Sequence, residues 1–275
     1  MDPNEYIQVA KNYYAKWDEW AKLSTSARHL ELCVCASNRR SLLMFTGQSV
    51  CAAHDIPRLT PFEMRPNCIS EIHRRTDLIH WHYEQRDPDA THARRILCAR
   101  TSRSICTLAK TDTPDSLLVS INHCLYKRLF TREQILTELD MHPHIQGCNI
   151  LERLMAFATP KCESPLETIA AIALYKAGFV MPQQQVNIYS GRKRIGRVDM
   201  IWKLRRRNVI LELDGRLKYK QADDLFAEKR REDAIRAEGY MVLRADWDDV
   251  HNGQLAKLLA EQKIPMRRNF GLKFP

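Results

Sequence analysis

Ile195–Tyr219 reads IGRVDMIWKLRRRNVILELDGRLKY. Two apolar runs, Ile195–Leu204 and Asn208–Leu213, flank Arg205, Arg206 and Arg207. Each run has the length and the β-branched content of a core strand. Asp199 lies inside the first run, and Glu212 and Asp214 close the second. An acid in a core strand is costly to bury unless it is paired or holds a metal. Glu212 and Asp214 are two residues apart, so on a strand they face one side, with Cα atoms roughly 7 Å apart. Asp199 stands on the neighbouring strand, about 4.8 Å away laterally. The three carboxylates can therefore point into one cleft. Read singly, each has a structural explanation. The ELDG segment is also a strand ending in a turn, and Asp199 can pair with Arg194 or Arg197.

Working outward, Ser164-Pro165-Leu166-Glu167 places Ser at N-cap, Pro at N1 and Glu at N3 of a helix running to Ala177, which Gly178 stops. Glu167 serves as the capping acid, or faces the cleft and holds a metal-bound water. Val186–Tyr189 reads as a strand and Ser190–Lys193 as a hairpin turn. A charged helix over Gln221–Glu238, a strand over Tyr240–Arg244 and a helix over Asp248–Lys263 follow. The order is α-β-β-β-α-β-α, and Thr159–Cys162 marks its boundary with the preceding residues.

Those preceding residues read less regularly. The first 30 carry a helical stripe of Tyr6, Val9, Ala10, Tyr13, Trp17 and Trp20. Arg39–Ala53 reads as a helix, followed by strands and turns to His82. His80 and His82 share one face of a strand, and with no third ligand near they read as surface residues. Helices are expected from Ser104, over Ser116–Arg128, from a capping box at Thr131–Gln134 through Leu139, and over Ile150–Ala158. His142-Pro-His144 reads as a loop.

The chain has 275 residues, room for one large or two ordinary domains. Its net charge of +10 favours a polyanionic partner, nucleic acid before membrane. Nine cysteines show no CxxC spacing, which disfavours zinc ribbons and thioredoxin-like motifs; they read as reduced, mostly buried thiols of a cytoplasmic protein. The N-terminal stretch has no apolar h-region and no run of 18 apolar residues occurs, so neither a signal peptide nor a membrane span is expected.

Carboxylates of this kind suit a hard divalent cation, Mg²⁺ or Mn²⁺, which polarises a phosphodiester and makes water nucleophilic. Asp199, Glu212 and Asp214 are the expected metal ligands, and Lys218 can orient the water or steady developing charge. Arg192, Lys193, Arg194, Arg197, Arg205, Arg206 and Arg207 are expected nucleic-acid contacts, most of them held in two turns at opposite ends of the Ile195–Leu204 strand. The basic stretch Lys229–Arg231 with Arg236 reads as i,i+4 pairing with Glu228, Glu232 and Asp233.

In the order SPLE, RVDM, VILELDGRLKY, EKRREDAIRAEGYMVLRADWDDV, residues 163–250 resemble the PD-(D/E)xK nuclease superfamily. Within it they are most similar to a small bacterial domain related to very-short-patch repair endonucleases. The resemblance implies an α/β protein with a restriction-endonuclease-like αβββαβ domain at 159–275, built on a mixed central sheet. It also implies a metal-dependent endonuclease acting on DNA in defence or repair, with Glu167, Asp199, Glu212, Asp214 and Lys218 as its catalytic set. The sequence departs from the superfamily where a lysine usually follows the Glu by two residues; here that place is Asp214, and Lys218 is the substitute. Leu42–Pro57 and Thr101–Thr111 resemble an abortive-infection antitoxin-like region. That likeness implies a smaller α+β domain at 1–158 that contacts DNA, through a winged-helix element, or a partner protein of a defence or toxin–antitoxin system. Two rivals stand beside the nuclease: a non-catalytic DNA-binding regulator on a nuclease scaffold, and a protein-interaction module indifferent to nucleic acid.

Overall fold

The computed structural model describes residues 5–40, 42–141, 147–215, 222–267 and 274–275, with side chains of the helix at 222–237 described from Glu228. The chain divides into two units, Met1–Ala158 (with Pro275) and Thr159–Phe274, so the first unit is the larger and not the smaller as expected.

The first unit opens with a hairpin, β1 (Tyr6–Ala10) and β2 (Tyr13–Lys16), not a helix. Tyr6, Ile7 and Val9 of β1 and Tyr13 and Tyr14 of β2 are strand-favouring residues, and Asn12 turns the chain at φ +65°. Helices α1 (Trp17–Lys22) and α2 (Thr25–Arg39) follow, α2 capped by Ser24, whose Oγ accepts from Ala27 N at 3.2 Å. The expected helix over Arg39–Ala53 is instead β3 (Met44–Phe45) and α3 (Gln48–Ala53), parted by Gly47 at φ +54°. After β4 (Asn67–Ser70), β5 (His80–Tyr83), β6 (Thr91–Ala93) and β7 (Ile96–Cys98) come α4 (Thr101–Leu108), α5 (Pro114–Lys127), α6 (Arg132–Met141) and α7 (Cys148–Met155). The Thr131–Gln134 capping box is formed at α6, Gln134 Oε1 accepting from Thr131 N at 2.8 Å. The sheet is mixed, in the order β5-β4-β3-β7-β6. Within the first unit no hairpin follows α4–α7 among the described residues, so the wing of a winged helix is not found there. His144 lies outside the described residues.

Cys33, Phe45, Val50, Cys68, Ile96 and Cys98 form the centre of this unit. All nine cysteines are free thiols, and eight are buried; burial pushes Cys33, Cys51 and Cys98 up to about 12, so they pack as small apolar groups. His82 is buried, not a surface residue: its Nε2 meets Asn67 Oδ1 at 2.7 Å, and burial draws its pKa down to about 4.

The second unit runs α8 (Pro165–Lys176), β8 (Gln183–Ser190), β9 (Lys193–Lys203), β10 (Asn208–Leu213), α9 (Ala222–Ala237), β11 (Tyr240–Ala245), α10 (Trp247–His251) and α11 (Gln254–Glu261). Gly178 ends α8 at φ +85°, with Phe179 N donating back to Leu174 O at 3.1 Å, and Phe179 then buries. Ser190 and Lys193 face each other across the tight turn from β8 to β9. The expected terminal helix is two helices, because Gly253 at φ +72° breaks it. The sheet order is β11-β10-β9-β8, with β10 parallel to β11 and antiparallel to β9, so the sheet is mixed. Ile201, Ile210 and Val242 pack with Ile235 of α9. No helix among the described residues is long and apolar enough to cross a membrane.

One buried ion pair anchors the first unit. Arg58 donates through Nε to Asp112 Oδ2 at 3.1 Å and through Nη2 to Oδ1, and both side chains are almost fully enclosed. Removing one partner strands the other charge, which costs roughly 3–5 kcal/mol. Asp112→Ala is therefore expected to lower the unfolding free energy measured in urea by that amount. A loss of less than about 1 kcal/mol would contradict the pairing.

Candidate active site

The site is built from the register of two strands. Leu211 of β10 stands opposite Met200 of β9, so one step further along the antiparallel ladder Glu212 stands opposite Asp199. Opposed residues share a face of the sheet. α9 lies over this part of the sheet, since its Arg231 reaches Glu212 at 3.5 Å. Asp199 does not pair with Arg194 or Arg197. Its Oδ2 accepts from Leu213 N at 2.9 Å and its Oδ1 from Gln185 Nε2 at 3.3 Å.

Glu167 arrives from α8 as the expected capping acid. Ser164 Oγ accepts from Glu167 N at 3.2 Å and donates to its Oε1 at 2.9 Å, while Glu163 N donates to Oε2 at 3.1 Å. The same Oε2 accepts from Gln185 Nε2 at 2.9 Å. Gln185 thus joins the capping acid of α8 to the central acid of β9.

Arg231 reaches in from α9, its Nη2 at 3.5 Å from Glu212 Oε1 and its Nη1 donating to Arg197 O at 3.2 Å. Gly196 allows this crossing, because a Cβ there would meet Arg231 Cδ at 3.3 Å. Gln185, Arg194, Gly196, Arg197, Asp199, Glu212 and Arg231 line a cleft of about 450 Å³.

The electrostatics follow from this enclosure. Burial pushes the Glu212 carboxyl up to about 7; the Asp199 charge adds to the shift and Arg231 opposes it. Burial also raises Glu167, against hydrogen bonds from Glu163 N and Gln185. The donor set is hard oxygen and opens on a cleft. Those properties fit a divalent cation.

The other expected residues fall elsewhere. Asp214 follows β10, and its Oδ2 accepts from Arg244 Nη1 at 3.1 Å, in a cluster where Arg244 also holds Glu228 and Glu232. In this arrangement it does not line the cleft with Asp199 and Glu212. Lys218 lies outside the described residues. Arg197 lines the cleft while paired with Glu163 at 2.7 Å, and Arg194 lines it exposed. Arg192 and Lys193 are exposed in the β8–β9 turn at the same end of the sheet. Arg205 and Arg206 are exposed six and seven residues beyond Asp199, about 20 Å along β9. Arg207 beside them donates to Gln262 O at 2.7 Å. One basic turn belongs to the cleft and the other does not.

Two lining side chains escaped the sequence reading. Arg231 sits in a mixed-charge helix whose pattern reads as i,i+4 pairing. Arg236 does pair with Glu232 in that way, at 2.8 Å, but Arg231 turns to the sheet. Gln185 is one of three consecutive glutamines and carries no charge to draw notice.

No family model, curated protein or solved structure matches this chain.

Because the folded state raises Glu212, its protonated form is favoured on folding. That contribution is full below about 4.5 and is lost as pH rises through about 7. Without divalent cations, the wild type is expected to lose about 3 kcal/mol more than Glu212→Gln between pH 4.5 and pH 8. Urea denaturation in EDTA at intervals across that range measures the difference; parallel curves for the two proteins would contradict it.

Proposed function

We propose that the second unit is a Mg²⁺- or Mn²⁺-dependent endonuclease acting on DNA, of the PD-(D/E)xK type. The observation that carries the reading is the opposition of Asp199 and Glu212 on one face of the sheet, in a cleft rimmed by Arg194, Arg197 and Arg231. The αβββαβ order with its mixed sheet agrees with it.

In this mechanism Asp199 and Glu212 hold the cation, and Glu167 supports them from α8. The bound cation would polarise the scissile phosphate and supply a nucleophilic water at neutral pH. Glu212 must be ionised to serve, so a pH above about 7 favours the competent state until a cation lowers that requirement. Arg194 and the Arg192–Lys193 turn meet backbone phosphates at the mouth of the cleft, which makes affinity salt-dependent. Arg231 must give up Glu212 or share it. Asp214 serves only if Arg244 releases it. Lys218 keeps its proposed part in assisting the attack. Arg205 and Arg206 belong to a more distant stretch of the same duplex, if to any.

One observation favours a second reading, a DNA-binding regulator without catalysis. Both strand-end acids of β10 are already met by arginines, Glu212 by Arg231 and Asp214 by Arg244. The first unit, in either reading, is proposed to contact DNA or a partner protein of a defence or toxin–antitoxin system.

The deciding experiment is nicking of supercoiled plasmid with Mg²⁺ or Mn²⁺. Asp199→Ala and Glu212→Ala are each expected to reduce the rate by roughly a hundredfold or more. Equal residual rates in all three proteins defeat the nuclease. Salt-sensitive DNA binding with no nicking in any of them establishes the regulator.

A further inference from the structure

Gln185 is neutral, yet it touches two of the acids. An amide NH₂ carries two hydrogens, and here both are used, at 2.9 Å on Glu167 Oε2 and 3.3 Å on Asp199 Oδ1. Its backbone is as unusual as its contacts. Gln185 sits at φ +53° inside β8, while the ladder on either side keeps its register, Gln184 opposite Met200 and Val186 opposite Val198. The left-handed region is unfavourable for residues other than Gly, Asn and Asp. A glutamine held there within a strand marks a local constraint, one that points its amide between α8 and β9. Neighbouring Gln184 instead sends its amide to Cys162 Sγ at 3.3 Å.

The chemistry of an amide suits this position. Glu167 and Asp199 repel each other across the space it occupies. A lysine or arginine there would hold them by neutralising them and would compete with an incoming cation. An amide donates to both and leaves their charge in place.

We infer that Gln185 is a positioning residue, whose amide ties the carboxylate of Asp199 to that of Glu167 and so presets Asp199 to hold a divalent cation; this rests on the nuclease reading above. The left-handed backbone is what the clamp requires.

The test uses the full chain. Mn²⁺ uptake without DNA is followed by the electron paramagnetic resonance of the free ion, and thermal unfolding is recorded on the same samples. Gln185→Ala loses the amide and keeps the unfavourable φ; Gln185→Gly loses the amide and relaxes it. Both are expected to bind Mn²⁺ roughly 10- to 100-fold more weakly than wild type. The glycine variant is expected to melt above the alanine variant. In plasmid nicking at saturating Mn²⁺, kcat falls while KM for plasmid stays near wild type. If the glycine variant recovers wild-type Mn²⁺ affinity and the alanine variant does not, the residue serves the backbone alone and the inference fails. Equal affinity in all three also overturns it, and leaves the nuclease reading standing. A folded wild type that takes up no Mn²⁺ overturns both.

Discussion

Like-charge repulsion between Asp199 and Glu212 governs the second unit. One ladder step forces the two acids together on a part of the sheet that α9 lies over, where water screens them poorly. Each neighbour can be understood by how it offsets that repulsion. Leu213 N and the Gln185 amide donate to Asp199, and Arg231 leans over Glu212. Glu212 itself relieves part of the strain by binding its proton up to about pH 7. Purely structural sheets avoid such an arrangement, since apolar residues of similar volume would be more stable there. The cost of keeping both acids is the physical case for a functional site.

The two units meet the burial of polar groups in different ways. The first satisfies its buried charges internally, with Arg58 on Asp112 and a hydrogen-bonded His82. Nothing in those contacts asks for a ligand. The second gathers carboxylates and arginines around an open cleft. On the nuclease reading proposed above, that contrast places the chemistry in the second unit and leaves the first as a scaffold or contact surface.

The second unit was legible in the sequence because its signals are local and agree with one another. Ser164, Pro165 and Glu167 announce the start of α8, and Gly178 and Gly239 stop helices where they stand. The two apolar runs around Arg205–Arg207 became β9 and β10, and a tight turn made their register. Placing Asp199 and Glu212 on one face needed only that adjacency. Asp214 was harder, because its partner Arg244 comes from β11, thirty residues on, and parity along a strand says nothing of it. Gln185 was invisible, since a left-handed φ in a glutamine is imposed by tertiary contacts and not by propensity. The N-terminal hairpin was misread because aromatic residues at positions 6, 13, 17 and 20 fit a helical wheel by chance, and only the turn at Asn12 decides otherwise.

Gly196 has a consequence that reaches beyond packing. By letting Arg231 lie across β9, it installs a monovalent occupant beside Glu212 before any metal comes. On the nuclease reading proposed above, uptake of an ion would be a displacement rather than a simple filling. A guanidinium yields to a concentrated double charge far more readily than to a single one. The crossing at Gly196 would then act as a filter for valence, without any ring of ligands sized to exclude sodium and potassium.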